Sequence, residues 1–174
     1  AIQRKCFVVP NPVSDIFVNA KYNYRENVSN IIAVGRLIEQ KNYPLLFSAF
    51  KEVNKEFPEL KLNVYGVGPL NSKFEDAIKR NGLEDSVILH GRTTDVPSVL
   101  CESDLYIMSS DFEGFPNSLM EAMTVGMPCI STDCPTGPSE LITTGVSGEL
   151  IEVGNKQQLV DAIKKMIKSF DYRK

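Results

Sequence analysis

Strand-like and helix-like segments alternate about six times along this chain, a rhythm that restricts its fold more than any single motif does. The runs "NIIAVGRL" (30–37), "KLNVYG" (61–66), "SVILHG" (86–91), "DLYIMSS" (104–110), "PCISTD" (128–133) and "GELIEV" (148–153) are short and β-branched. Between them lie stretches with helical spacing: "NYPLLFSAFKEVNKEF" (42–57), "PLNSKFEDAIKRNG" (69–82) and a short helix near "DVPSVLCES" (95–103). "PNSLMEAMTVG" (116–126), a helical turn at "GPSELITTG" (137–145) and the amphipathic "NKQQLVDAIKKMIKSF" (155–170) complete the series. Pro69 is expected to open its helix and Gly82 to close it. A parallel sheet covered on both faces needs this order of elements, and right-handed crossovers then make a doubly wound, Rossmann-like α/β domain.

A chain of 174 residues suits one domain of ordinary size, so residues 1–174 read as a single unit. The loop-rich "VVPNPVSDIFVNAKYNYREN" (8–27) reads as a junction, placed within residues 1–27, to a segment the chain lacks. Doubly wound sheets bind ligands beyond the carboxyl ends of their strands. That rule lines up Gly35-Arg36, Gly66-Val67-Gly68, Gly91-Arg92 and Ser109 to Glu113 along one rim.

Within that rim, "EGFPNSLMEAM" (113–123) sets two glutamates eight positions apart around a helix start. Pro116 at the first helical position has no N–H to leave unpaired, so the N–H groups of Asn117, Ser118 and Leu119 are expected to face outward at the positive end of the helix. Such an end suits a phosphate, although a cap of water satisfies it equally well. Glu121 lies inside the otherwise apolar "LMEAMTV", with Asn117 and Val125 rather than a cation at i±4. A carboxylate so placed needs donors, which adjacent sugar hydroxyls supply. Glu113, on the loop before the helix, can accept from another sugar. Carboxylates repel a phosphate, so the pattern fits a ligand with both phosphate and polyol parts.

"GRLIEQK" adds Arg36, a planar fork, and Lys41, a mobile point charge, a pair suited to a diphosphate though each alone reads as surface charge. "YGVGPL" (65–70) resembles a dinucleotide fingerprint but carries Asn71 where the third glycine belongs, and no acidic residue follows the next strand at His90. It leaves open a tight turn or a close backbone approach to a ligand. "DFE" (111–113) and "ESD" (102–104) look like acidic metal pairs, yet the cations above already offset a diphosphate, so no metal or other cofactor is expected. A net charge of −3 with scattered basic residues makes no case for nucleic acid. No apolar run approaches the roughly 18 residues of a membrane span. Cys6, Cys101, Cys129 and Cys134 form no Cys-x-x-Cys pair, and they read as free thiols in a reducing cytosol. A single histidine argues against zinc.

Taken in order, "VGRLIEQKNYPLL", "YGVGPL", "LHG" and "EGFPNSLMEAMTVGMPCISTDCPTGPSEL" resemble the C-terminal donor-binding domain of retaining GT-B glycosyltransferases, family 4, the glycosyl transferases group 1. The likeness covers about residues 8 to 170, and its most specific part is the Glu-x7-Glu pattern of Glu113 and Glu121 around Gly114, Phe115, Pro116 and Asn117. It implies one half of a GT-B fold. Arg36 and Lys41 would hold the donor diphosphate with the amides near Asn117, Ser118 and Leu119. Glu121 would take the ribose hydroxyls, Glu113 would contact the transferred sugar at its reacting centre, and the backbone around Gly91 and Arg92 would frame the base. Gly35, Gly66 and Gly68 belong to the same donor-binding rim, with Glu113, Arg36 and Lys41 as the catalytic set.

The resemblance further implies transfer of a hexose or N-acetylhexosamine, with retention and without a metal, from a nucleoside diphosphate sugar, UDP favoured. The acceptor would be a glycan or lipid-linked saccharide of bacterial surface polysaccharide such as O-antigen. The full-length enzyme would be cytoplasmic, peripheral to the inner membrane at its cytoplasmic face. The chain departs from the pattern by supplying one Rossmann-like domain of two, so binding without transfer is expected of it alone. A GT-B-shaped nucleotide-sugar epimerase and a non-catalytic nucleotide-binding module remain the alternatives. Leu159, Ile163, Met166, Ile167 and Phe170 make one stripe of the last helix, expected to pack on the sheet rather than on a membrane despite Lys164, Lys165 and Lys168 opposite.

Overall fold

Apolar runs buried on two faces need neighbours on both sides, and the central strands have them. The computed structural model describes residues 11–169. Six parallel strands form one sheet: β1 (Asn30–Val34), β2 (Lys61–Tyr65), β3 (Val87–Gly91), β4 (Leu105–Met108), β5 (Cys129–Thr132) and β6 (Glu149–Ile151), in the order β3-β2-β1-β4-β5-β6. Every residue of β4 and β5 is buried, whereas edge strand β3 leaves Ile88 exposed. Ile31 of β1 pairs with Leu62 on one side and Leu105 on the other.

Alternation along β1 feeds two cores. Ile31 and Ala33 join α2 (Tyr43–Glu56), α3 (Asn71–Asn81) and α7 (Lys156–Lys168) on one face. Ile32 joins α1 (Asp15–Val18), α4 (Val96–Cys101) and α5 (Asn117–Val125) on the other. A last short helix, α6 (Pro138–Leu141), lies between β5 and β6. The chain changes face after β3, so β1 and β4 are neighbours though far apart in sequence. Their carboxyl ends diverge into loops on opposite faces, which opens a crevice at that switch point.

Most expected elements form, with informative shifts at their ends. Pro69 sits in a turn closed by the Asn71 N–H donating to the Gly68 carbonyl, so α3 starts two residues later than its sequence suggests. Pro116 has φ −82° and ψ 70°, which makes it the residue before α5 and not the first of it. The junction segment is more than loop. Phe17 of α1 is buried in the second core, and the Arg25 guanidinium reaches the carboxylate of Asp104. Residues 8–10 of that segment lie outside the described residues. In α7, Leu159, Ile163 and Met166 are buried against the first core, and Ile167 packs beside them. Phe170 lies outside the described residues. Lys164 and Lys168 pair with Glu56 of α2, and Lys165 pairs with Glu149. Cys129 and Cys134 are buried and free, Cys101 is free and half-buried, and Cys6 lies outside the described residues. No helix among the described residues is long and apolar enough to cross a membrane.

Candidate functional site

At the switch point the loop after β1 is stitched to the loop after β4. Asn42, in the left-handed region at φ 43°, accepts from the Leu45 N–H to cap α2 and donates its Nδ2 to Asp111 Oδ1 at 2.7 Å. The Asp111 N–H donates to the Gln40 carbonyl, Ser109 Oγ donates to the Lys41 carbonyl, and Gln40 Nε2 donates to the Phe112 carbonyl at 2.7 Å. These bonds hold Lys41 Nζ 2.6 Å from Glu113 Oε1, which also accepts from Ser110 Oγ at 2.6 Å. Side-chain exposure is 17% for Lys41 and 6% for Glu113, so each neutralises a charge the other could not carry alone in so dry a place. Lys41 and Glu113, expected to address diphosphate and sugar separately, therefore face one another.

The segment after β5 braces this corner. Thr136 Oγ1 donates to the Glu113 carbonyl. Gly137 has φ 103°, and a Cβ there would lie 2.2 Å from Cδ of Pro116, so only glycine lets the two loops meet.

The start of α5 departs from expectation. The Asn117 N–H donates to the Phe115 carbonyl, and the Leu119 and Met120 N–H groups both donate to the carbonyl of Pro116, whose ψ turns that oxygen over the helix end. Of the three amides expected to be free, only that of Ser118 has no partner among the described residues. Asn117 Oδ1 accepts from Asn11 Nδ2 at 2.9 Å. Along the helix Glu121 is half-buried and accepts no hydrogen bond from any described residue, and burial raises its pKa.

A second region opens beside the corner, a cleft of about 230 Å³ at the carboxyl ends of β1, β2 and β3, lined by Gly35, Arg36, Gly66 and Arg92 and by Val34, Tyr65, Val67, Thr93 and Val96. Its volume is below the roughly 300–1,000 Å³ of whole drug-sized sites, a size for one end of a larger ligand. Arg36 and Arg92 are exposed, and neither guanidinium has an ion-pair or hydrogen-bond partner among the described residues. Lys41, Gly68, Gly91, Glu113 to Leu119 and Glu121 do not line this cleft, so the expected donor set divides into two groups. Gly66 serves the meeting of loops, since a Cβ there would lie 1.8 Å from the Gly35 carbonyl oxygen, and its N–H donates to the Gly91 carbonyl at 2.7 Å. Gly68 likewise lies against Leu37, where a Cβ would come 2.3 Å from the carbonyl oxygen. The tight-turn reading of "YGVGPL" is met at Gly68 to Asn71, where the Asn71 N–H donates to the Gly68 carbonyl.

Sequence reasoning missed Tyr65, which stacks on His90 with centroids 4.4 Å apart and rings 5° from parallel. Its position at the carboxyl end of β2 was the available signal. It also missed Gln40, whose role depends on contacts across the switch point, and it placed Ser110 on the rim without its bond to Glu113. In the acidic pairs, the carboxylates of Asp104, Asp111 and Glu113 accept hydrogen bonds from the protein itself. Asp104 accepts from Arg25, Ser29 and Asn30, Asp111 from Asn42, and Glu113 from Lys41. Among the described residues no group of three or more His, Cys, Asp or Glu could hold a metal ion.

Against known proteins, the family model described as "Glycosyl transferases group 1" matches residues 16–174. The chain is 32% identical over 166 residues to the poly(glycerol-phosphate) alpha-glucosyltransferase of Bacillus subtilis, covering 95% of this chain and 25% of that protein. It is also 32% identical over 166 residues to the lipopolysaccharide 1,6-galactosyltransferase of Salmonella typhimurium, covering 92% of this chain and 45% of that one. Among solved structures, a variant of S. aureus TarM in complex with fondaparinux, alpha-GlcNAc-glycerol and UDP superposes with a TM-score of 0.85 at 28% identity, over 89% of this chain and 31% of that one. The chain thus spans less than half the length of each of these proteins.

Proposed function

This chain belongs to the glycosyl transferases group 1 family, and from that premise we propose that it is the donor-binding domain, half of a GT-B pair, of a retaining glycosyltransferase that uses a nucleoside diphosphate sugar. The observation that carries the reading is Glu121, a half-buried carboxylate with a raised pKa, one turn from the Ser118 N–H; neither has a partner among the described residues. Vicinal ribose hydroxyls satisfy the first and an anionic oxygen the second. Arg36 adds an exposed cation to the cleft wall, and Lys41 can exchange Glu113 for a phosphate oxygen. That exchange frees Glu113 for the transferred sugar. The cations and the helix end offset charge growing on the leaving diphosphate, so the reaction calls on no metal or other cofactor.

Uridine diphosphate is the first choice of donor carrier, supported by UDP in the TarM complex. Glucose, galactose or an N-acetylhexosamine is the sugar, supported by the glucosyl- and galactosyltransferase relatives. The acceptor, a glycan or lipid-linked saccharide of bacterial surface polysaccharide such as O-antigen, belongs to the other domain. The full-length enzyme works in the cytoplasm at the inner face of the membrane.

Thermal unfolding of the chain with UDP, GDP, ADP and NAD, with and without EDTA, tests the donor site. A ligand at 100 times its Kd adds about 2.7 kcal/mol, several degrees for a domain this size. The expected result is a shift with one nucleoside diphosphate, indifferent to EDTA. A shift with NAD alone would replace the reading. Retention is checked on the full-length enzyme by the anomeric configuration of the product, and free or epimerised sugar there would favour an epimerase.

A further inference from the structure

We propose that Tyr106 is a positioning residue for the donor diphosphate: its buried hydroxyl donates to Ser118 Oγ and so turns the Ser118 proton outward, giving the start of α5 a second donor for the anion. The inference rests on the donor-site reading above and adds two side chains that the reading does not use.

Tyr106 lies in β4, fully buried, and its hydroxyl stands 2.8 Å from Ser118 Oγ. No other group among the described residues is within hydrogen-bond reach of that hydroxyl. Burial holds the phenol well above its ordinary pKa, so its proton is always present and has one acceptor available. Were Ser118 the donor, the phenolic proton would be stranded in the core, an arrangement folded proteins avoid. The direction of the bond is therefore set by Tyr106.

Ser118 is left with a proton of its own to place. In the same helix Thr124 disposes of its proton on the Met120 carbonyl at 2.8 Å, the usual recourse of a helical hydroxyl. Ser118 does not follow it: its hydroxyl makes no bond to its own i−4 carbonyl, that of Gly114, and among the described residues its only bond is the one it accepts from Tyr106. Ser118 is only half-buried and its backbone N–H also has no partner among the described residues, so one residue presents two unused donors at the positive end of α5. Two oxygens of one phosphate group match two such donors. The chain from Tyr106 through Ser118 to the anion also polarises the Ser118 hydroxyl, because a hydroxyl that accepts one bond donates the next more strongly.

Calorimetric affinities of the chain for UDP and for uridine separate this role from a structural one. Ser118→Ala should weaken UDP binding about tenfold while uridine affinity stays within about twofold, since the lost bond is to a charged group. Tyr106→Phe should weaken UDP about threefold in the parent and change nothing further in the Ser118→Ala background, the non-additivity expected of groups acting in series. Equal losses for UDP and uridine, or effects that simply add, would overturn the proposal. If Tyr106→Phe does not fold, the UDP-to-uridine ratio of Ser118→Ala decides alone, and an unchanged ratio overturns it. A parent that binds no nucleoside diphosphate removes the donor reading and this inference with it. A parent that binds UDP, with a Ser118→Ala variant that binds it equally, removes this inference only.

Discussion

Asp104 and Glu121 are both carboxylates drawn away from water, and they are treated in opposite ways. Asp104, at the amino end of β4, is 1% exposed and accepts from the Arg25 guanidinium, the N–H groups of Ser29 and Asn30 and the Ser29 hydroxyl. Glu121, in α5, has no donor among the described residues, and its pKa is raised by burial. The first arrangement ties the incoming segment to the sheet. The second leaves an interaction for something other than the protein to supply. Glu113 stands between these cases, fully partnered in the structure by Lys41, a side chain that a diphosphate can draw away. Buried charges satisfied by the chain itself mark architecture, and those it leaves unsatisfied mark where a ligand is awaited.

The largest effect should follow from Asp104→Ala, which strands the N–H groups of Ser29 and Asn30 and takes the carboxylate from Arg25. A loss of about 3 kcal/mol, or a melting temperature lower by roughly 6–12 °C, is expected with UDP affinity of the folded protein unchanged. A fall in affinity with stability intact would erase the distinction between the two carboxylates. Next in size is Lys41→Ala, which leaves the nearly buried Glu113 without its cation. Denaturant titration should show a loss of about 2 kcal/mol, partly regained by adding Glu113→Gln.

Glu121→Gln should behave in the reverse sense, weakening UDP while stabilising the free protein near neutrality. The folded carboxyl holds its proton to higher pH than the unfolded one, so the parent loses stability as pH rises from the ordinary carboxylate range through the raised pKa. The melting temperatures of parent and variant should coincide at about pH 4 and separate in favour of the variant by about pH 7. A variant less stable than the parent at neutral pH would mean that Glu121 has a partner in solution. The smallest effect belongs to Glu56 on the outer face. Hydrogen bonds from Lys164 and Lys168 lower its pKa to about 2, so its contribution is present above the ordinary carboxylate value and lost as pH falls towards 2. Being open to water, that contribution is screened, and Glu56→Gln should alter neutral-pH melting only slightly and less still in high salt.

Much of this architecture was legible in the sequence because it is local. The β-branched runs became strands, the 3.6-residue spacing of 42–57 became α2, and the stripe on α7 found the sheet, since periodicity decides which face of an element is apolar. The rim followed from strand ends alone. Less legible was the way the rim is shared out. Arg36 and Arg92 line a cleft with Tyr65, while Lys41 is claimed by Glu113, a partner 72 positions away. Pro116 marked the start of α5, but its ψ, which redirects its carbonyl and consumes two amides, depends on the loop of Thr136 and Gly137 packed against it.

The sequence by itself determined the order of elements, the carboxyl-end rim and the two glutamates flanking a helix start, because these depend on the chemistry of neighbours along the chain. Tertiary structure alone decided which polar groups are satisfied. Asp104 is full, Glu113 is held by Lys41 and Ser110, Ser118 is set by Tyr106, and Glu121 is left without a donor among the described residues. The physical reason is that a hydrogen bond or ion pair forms between groups that folding brings to within about 3 Å, and spacing along the chain does not encode that distance.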